Sequence, residues 1–205
     1  MAGKWIVFEG LDGAGTTTQT QLLAEYLRRR LSSPEEVFQT AEPTCGLIGL
    51  TLKAVLRGEI AFDRTTLALA FSADRSDHLF RPDGVVARLE QGHWVVMDRY
   101  LYSTLAYQDG LDRGWLLQIG SKFPRPDLLV FLGTPVEVCL ERLSARGAES
   151  DLFEKEDSLR RIETSYRWVL EVEAFKTSLL VLDGRLPAEE LNRKVVERVC
   201  EWKLK

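Results

Sequence analysis

A glycine-rich run near the amino terminus has the residue types and spacing of a phosphate-binding loop. Glycines, an aspartate and consecutive threonines follow one another in the order Gly10, Leu11, Asp12, Gly13, Ala14, Gly15, Thr16, Thr17, Thr18. The run lies between an apolar segment and a helical pattern. In that context glycines let backbone N–H groups turn towards an anion, and the helix N-terminus adds partial positive charge. A tight turn without a ligand explains the glycines less well. The run therefore predicts a loop that binds phosphate.

One position departs from the usual pattern, G-x-x-x-x-G-K-[ST]. Thr16 stands where that pattern has lysine. A threonine hydroxyl can donate one hydrogen bond but carries no charge. The next hydroxyls, Thr17 and Thr18, remain available, and such loops bind Mg²⁺ through a hydroxyl. We therefore expect a phosphate cradle without its standard cation, in which Thr17 or Thr18 binds the metal and Thr17 is preferred.

A second polar cluster follows the apolar segment Trp94–Asp98. A carboxylate that ends a buried strand is well placed to act on Mg²⁺ or its waters, which is the role predicted for Asp98. Arg99 can bridge two phosphates because its guanidinium presents several donors in a planar fork. A surface Asp–Arg pair is the alternative for the dipeptide alone. The upstream glycine run favours the catalytic interpretation.

Alternating apolar runs and helical patterns predict the elements that position these residues. The predicted strands are Lys4–Glu9, Val37–Thr40, Trp94–Asp98, Leu128–Leu132 and Leu179–Asp183. The predicted helices are Thr17–Leu31, Arg64–His78, one that begins after Pro135, one from about Ser158 to Phe175, and Ala188–Trp202. Repeated β–α units of this kind are typical of an α/β fold, with a five-stranded parallel sheet flanked by helices on both faces. Ligands of such sheets bind outside the carboxyl ends of the strands.

Composition and length restrict the class of protein. A net charge of −4 argues against holding a nucleic-acid backbone by bulk charge. The cysteines Cys45, Cys139 and Cys200 show no C-x-x-C spacing, as expected for reduced thiols. Met1 leads almost directly into the first apolar run, and no run approaches the roughly 20 residues of a membrane span. We expect a cytoplasmic protein with one domain, residues 1–205, and neither nucleic-acid nor membrane partners.

Taken together, the motifs resemble those of the thymidylate kinase family, P-loop kinases that phosphorylate dTMP with ATP. The matching strings are Phe8–Gly15, Glu42-Pro43, Phe71–Arg75, Asp98–Tyr100, Ser103-Thr104, Ala106–Gln108, Arg125–Leu128 and Leu182–Gly184. They span nearly the whole chain in order. The resemblance implies Mg²⁺ as cofactor, ATP and dTMP as ligands, and a homodimer packed through helices, to which the apolar residues Leu67–Phe71 could contribute.

The resemblance also implies roles in binding the acceptor nucleotide. Phe71 matches the ring that stacks on thymine, and Arg75 matches the donor to a thymine carbonyl. Their spacing places both on one helix face. Thr104 and Gln108 match polar contacts to the base, and Tyr107 matches the residue that crowds the 2′ position of the sugar.

Further roles by resemblance concern the phosphates. Glu42–Pro43 matches the loop that closes over the substrate. Lys53 stands where the family usually has an arginine that reaches the dTMP phosphate. Arg99 matches the bridging arginine, and Asp12 matches the loop acid that fixes the acceptor. Asp98 would organise Mg²⁺.

The donor side departs from the family pattern at more positions than Thr16. Ala41 replaces an arginine that commonly precedes Glu-Pro, and Leu152 replaces an arginine in the lid, which we predict at about residues 146–157. The resemblance implies that ATP is bound by the glycine run, residues 10–18, and by Arg142 and Arg146. Candidates to supply the missing charge are Arg142, Arg146, Lys155, Arg160 and Arg161, with Arg146 and Lys155 preferred.

Three functions remain open from the sequence. An active thymidylate kinase with a rearranged donor site is favoured, because the acceptor residues are retained. A kinase for another nucleotide and a catalytically weak nucleotide-binding protein are the alternatives.

Overall fold

The computed structural model describes residues 3–145, 152–173 and 176–202, and the side chains of 152–155 lie outside that description. Five parallel strands form one sheet in the order β2-β3-β1-β4-β5. Their bounds are β1 Trp5–Gly10, β2 Val37–Ala41, β3 Trp94–Asp98, β4 Leu128–Gly133 and β5 Ser178–Asp183. The predicted α/β fold with a five-stranded parallel sheet is confirmed, and the strand bounds agree within one residue.

The central strand β1 is apolar throughout because helices cover both of its faces. Ile6, Val7 and Phe8 are fully buried, as continuous apolar strands of parallel sheets usually are. Phe8 pairs with Asp98 of β3, and Gly10 pairs with Leu132 of β4. This register brings the ends of the three central strands to one edge of the sheet, beside the glycine-rich run.

Helices of very different length connect the strands. They are α1 Thr16–Arg30, α2 Leu47–Leu56, α3 Arg64–Phe80, α4 Val85–Glu90, α5 Leu101–Tyr107, α6 Arg113–Gly120, α7 Val136–Ser144, α8 Leu152–Glu173 and α9 Ala188–Cys200. Every predicted helix is present. The helices α2, α4, α5 and α6 were not predicted from sequence, because elements of 10, 6, 7 and 8 residues show too little periodicity. Within the described ranges, no helix has both the length and the apolarity of a bilayer crossing.

The start of α8 differs from the prediction. The helix begins at Leu152, not at about Ser158, and so includes part of the segment predicted as a lid. Residues 152–158 contain good helix formers and neither glycine nor proline, so nothing in their sequence ends a helix there.

Candidate active site

The glycine-rich run forms an open anion site at the start of α1. Gly13 and Gly15 have φ angles of 86° and 101°, which residues with a Cβ rarely adopt. A Cβ on Gly13 would also approach the Cys139 carbonyl oxygen to 2.6 Å. Gly15 is the N-cap of α1, no side chain caps the helix, and its first turn has no acidic residue. The first N–H groups of α1 are therefore available to an anion.

A cavity of about 520 Å³, here called the loop cavity, lies against this helix start. It is lined by Asp12, Gly13, Gly15, Thr16, Thr17, Thr18, Leu56, Arg99, Tyr107, Leu143, Ser158, Leu159 and Ile162. Gly10, Leu11 and Ala14 do not line it: Gly10 ends β1, and Leu11 and Ala14 are buried in the core. Among these described lining residues, Arg99 is the only cation.

Thr17, which lines the loop cavity, is hydrogen-bonded to Asp98 behind it. The Thr17 hydroxyl donates to Asp98 Oδ2 at 2.5 Å. Asp98 is 9% exposed, and its other oxygen, Oδ1, is buried without a hydrogen-bond partner in the described part of the chain. Carboxylate and hydroxyl oxygens are hard ligands of the kind that Mg²⁺ prefers. The pair fits the magnesium site expected from the sequence.

The cations proposed to replace the lysine occupy different places. Arg142 Nη1 donates to the carbonyls of Gly13 and Ala14 at 3.4 and 3.2 Å, and Nη2 donates to that of Gly184 at 2.9 Å. It lines a neighbouring cavity of about 380 Å³ next to the loop. Arg142 thus binds the backbone of the loop and does not line the loop cavity.

Two of the other cations proposed to replace the lysine lie beside carboxylates. Arg160 pairs with Glu137 and Glu156 at 2.8 and 2.6 Å, and Arg161 lies 3.8 Å from Asp109. Arg146 and the side chain of Lys155 lie outside the described residues.

Arg99 adopts an uncommon backbone conformation that directs its side chain to the loop. Its φ is 65°, the left-handed region. Nη2 donates to Asp12 Oδ1 at 2.7 Å, and Nη1 donates to the Gly10 carbonyl and to Ser103 Oγ, each at 3.1 Å. The guanidinium also lies 5.3 Å from the centre of the Tyr107 ring. Burial raises the pKa of the Tyr107 hydroxyl, so this residue stays neutral beside Arg99.

A second cavity of about 300 Å³, here called the α3 cavity, adjoins the first. It is lined by Asp12, Glu42, Pro43, Leu56, Leu67, Phe71, Arg75, Arg99, Tyr100, Ser103, Thr104, Tyr107 and Gln108. The structure thus brings together the residues that the sequence assigned to acceptor binding, with one difference. Lys53 lines neither this cavity nor the loop cavity. It lies on α2, where its Nζ donates to Cys45 Sγ at 3.2 Å.

Arg75 is fixed inside this wall by a buried carboxylate. Its Nε donates to Glu42 Oε2 at 2.8 Å, and its Nη2 donates to Thr104 Oγ1 at 3.1 Å. The side chains of Arg75 and Glu42 are 2% and 3% exposed. The guanidinium also lies over the rings of Tyr100 and Phe123. Arg75 therefore has one fixed orientation before any ligand binds.

His78 and Asp74, to which the sequence analysis assigned no role, lie on α3 next to Arg75 and bind the same part of the chain. His78 Nδ1 lies 3.3 Å from Glu42 Oε1, and its Nε2 lies 2.8 Å from Thr40 Oγ1. Asp74 accepts from the backbone N–H and the hydroxyl of Thr44 at 2.8 and 2.6 Å. The helix α3 thus contacts the end of β2 and the segment after it at successive points. The signal was present: Asp74 and His78 follow Phe71 by three and seven residues, on one helix face.

The two cavities share part of their walls. Asp12, Leu56, Arg99 and Tyr107 line both of them. A cation between two adjoining cavities can neutralise charge on two anionic ligands at once. The arrangement can therefore hold two phosphorylated ligands with their phosphates facing each other at Arg99.

Comparison with known proteins gives a consistent result. The family model described as thymidylate kinase matches residues 8–195. The chain is 37% identical over 206 residues to the probable thymidylate kinase of Pyrococcus horikoshii, covering 97% of each protein. It is 31% identical over 206 residues to the putative thymidylate kinase of Treponema pallidum, covering 98% of this chain and 96% of the relative.

A solved structure has the same fold. The crystal structure of thymidylate kinase from Ehrlichia chaffeensis superimposes with a TM-score of 0.75 and 22% sequence identity, covering 97% of this chain and 100% of that one. At this identity the likeness concerns the fold alone. The family model and the two relatives show more than the fold. They show that the chain belongs to the thymidylate kinase family.

Proposed function

We propose that this protein transfers the terminal phosphoryl group of ATP to the 5′-phosphate of dTMP, giving dTDP. The observation that carries the proposal is the shared wall of the two cavities, where Arg99 lies between the glycine-rich loop and the pocket of α3. Membership of the thymidylate kinase family, whose relatives carry that name, supports dTMP as the acceptor.

On the donor side, the backbone of the glycine-rich loop would hold the β-phosphate of ATP. Thr17 and Asp98 would hold Mg²⁺, which when bound neutralises negative charge on the phosphates of ATP. Arg142 and Arg146 are assigned to ATP binding as well, with Arg142 acting through the backbone of the loop. Asp12 and Arg99 would align the two nucleotides.

On the acceptor side, Phe71 would stack on the thymine. The bonds to Glu42 and Thr104 use Nε and Nη2 of Arg75, which leaves Nη1 for a carbonyl of the base. Thr104 and Gln108 would contact the base, and Tyr107 would crowd the 2′ position of the sugar. Glu42–Pro43 would close over the nucleotide, and Lys53 would leave Cys45 to reach its phosphate.

The reaction in this site needs no strong general base. The acceptor is already an anionic phosphate, so positioning and charge neutralisation carry the rate. The proposed donor site works without a lysine at position 16, using the helix N-terminus, Mg²⁺ and Arg99. Lid residues, predicted at about 146–157, would add cations when ATP binds.

A coupled assay that follows ADP formation tests this function. Wild-type protein should turn over dTMP with Mg·ATP, and should use dUMP, UMP and deoxynucleosides less well. Turnover of another acceptor in place of dTMP would refute dTMP as the substrate. Binding of dTMP without any formation of dTDP, even at high protein concentration, would refute catalysis.

We also propose that the protein works as a single-domain, cytoplasmic homodimer. Leu47 and Leu50 of α2 and Leu69 of α3 are 84%, 54% and 50% exposed, an apolar surface of the kind that interfaces cover. Substituting Leu69→Glu should shift the mass measured by light scattering from dimer to monomer. A monomeric wild-type protein would refute the dimer.

A further inference from the structure

Glu9 is a buried carboxyl group to which the proposed mechanism gives no task. It lies at the carboxyl end of β1, directly before the glycine-rich run, and is 0% exposed. Desolvation by burial raises the pKa of this carboxyl. Burying such a group is costly unless it is fully hydrogen-bonded, and the bonds it makes therefore indicate what it does.

One oxygen of Glu9 caps helix α5. Glu9 Oε1 accepts from the backbone N–H groups of Tyr100 and Ser103 at 2.8 and 3.1 Å. Tyr100 is the N-cap residue of α5, and its own side chain makes no capping bond. Within the described residues, Glu9 is the acceptor of the Tyr100 N–H at the helix start, and it shares the Ser103 N–H with the Tyr100 carbonyl, which lies at 3.1 Å. A residue distant in sequence thus supplies the cap.

The capped turn is the one that carries Arg99. A left-handed backbone is unfavourable for an L-residue, so neighbouring bonds must hold it. The N–H of Arg99 donates to the Phe8 carbonyl at 2.9 Å, and the next N–H donates to Glu9. The end of β1 therefore holds both peptide groups that flank Arg99.

The second oxygen of Glu9 connects this turn to helix α8. Glu9 Oε2 accepts from Ser103 Oγ at 2.7 Å and from the Tyr166 hydroxyl at 2.8 Å. Ser103 Oγ in turn accepts from Arg99 Nη1. Tyr166 is 1% exposed and lies on α8, whose first residue is Leu152 in the predicted lid. A continuous set of hydrogen bonds therefore runs from α8 through Glu9 and Ser103 to the guanidinium of Arg99.

We propose that Glu9 is a positioning residue for phosphoryl transfer, whose carboxylate holds the Arg99 turn and ties it to α8. This inference rests on the proposed function, in which Arg99 faces the phosphates of both nucleotides. Glu9 acts through Arg99 and does not touch either substrate. The position of α8 and that of Arg99 are therefore linked.

The test compares Tyr166→Phe, Ser103→Ala and Glu9→Gln with the wild-type full chain. Tyr26→Phe is the matched control, because the Tyr26 hydroxyl contacts Cys200 at the surface. The measurements are kcat, the KM for each nucleotide, and the Kd of an analogue that joins adenosine and thymidine through a polyphosphate. The analogue, like the transition state, engages Arg99 with the phosphates of both nucleotides in one molecule.

We expect kcat to fall about 10-fold in Tyr166→Phe and in Ser103→Ala, since each loses one bond to a charged group. In Glu9→Gln we expect a loss of roughly 10²-fold, the scale of one misplaced donor at the transferring group. The Kd of the analogue should rise in step with the loss of kcat, while the KM for dTMP stays within about twofold. Tyr26→Phe should match the wild type.

If Glu9→Gln fails to fold, Tyr166→Phe and Ser103→Ala still test the positioning role, because they remove one hydroxyl each and change neither charge nor backbone. A kcat within twofold of wild type in both would overturn the inference, as would a KM for dTMP that rises as much as kcat falls. If wild type itself makes no dTDP, the proposed function fails instead. Analogue binding unchanged by Tyr166→Phe would then overturn the positioning role separately.

Discussion

Replacing Glu42 by glutamine tests whether the buried pair with Arg75 organises the α3 cavity. Both side chains are 3% exposed or less, and the shortest contact between them is 2.8 Å. Removing one partner of such a pair leaves a buried charge uncompensated, at a cost of about 3–5 kcal/mol. Glutamine retains one acceptor oxygen for Arg75, which places Glu42→Gln near the lower limit, at about 3 kcal/mol.

The free energy of unfolding can be measured in urea by tryptophan fluorescence. For a chain of this length, a loss of about 3 kcal/mol corresponds to a fall in Tm of about 6–12 °C. Glu59→Gln is the matched control: Glu59 pairs with Arg57 through bonds of 2.6 and 3.0 Å, but their side chains are 56% and 59% exposed. We expect that control to leave stability unchanged, since exposed pairs contribute little.

Two outcomes would refute the structural role of the Glu42–Arg75 pair. If Glu42→Gln unfolds at the same urea concentration as Glu59→Gln, the buried pair does not organise the cavity. A variant of unchanged stability but higher KM for dTMP would also contradict this reasoning, because Glu42 would then act on the ligand alone.

Three further variants test the donor site and its surroundings. Thr16→Lys should change kcat by less than about 10-fold, because a native site that already turns over needs no rescue; a large gain from near zero in the coupled assay would contradict the active site proposed here. Asp98→Asn should lower kcat by roughly 10²-fold or more and raise the Mg²⁺ concentration needed for half-maximal activity, and an unchanged Mg²⁺ titration would remove Asp98 from the metal site. Because burial raises the pKa of Glu9, the stability that it contributes is fully present below the unfolded value of 4.5 and is lost as pH rises through the folded value. The free energy of unfolding of wild type relative to Glu9→Gln should thus increase from pH 8 towards pH 4.5. Urea titrations that give the opposite slope would refute a raised pKa for Glu9.

The regular part of the fold was predictable because it depends on local patterns. Continuous apolar runs identified all of the strands, and the carboxyl-end rule placed Asp98 and Arg99 beside the glycine-rich run. The helix α5 was missed because its start is capped by Glu9, which is remote in sequence. The periodicity of a helix of 7 residues cannot reveal such a cap.

The candidate site was less predictable where its residues act on each other. Motif positions indicated that Arg75 and Glu42 belong to the acceptor pocket, but not that they bind one another. His78 had no metal-spaced partner in the sequence, and its contacts to Glu42 and Thr40 depend on how α3 packs against β2 and the segment after it. Long-range pairing of polar groups is set by tertiary packing, which spacing alone does not determine.

The hydrogen bonds from Arg142 to the glycine-rich loop have a consequence for the absence of a lysine at position 16. In a trans peptide the carbonyl and the N–H point in opposite directions, so bonds to the Gly13 and Ala14 carbonyls also fix which way the following N–H groups point. Arg142, which lies on α7, therefore fixes the conformation of the loop before ATP binds. The conformation of the loop and the charge inside its cavity therefore depend on different residues, with Arg142 fixing the first and Arg99 supplying the second among the described lining residues.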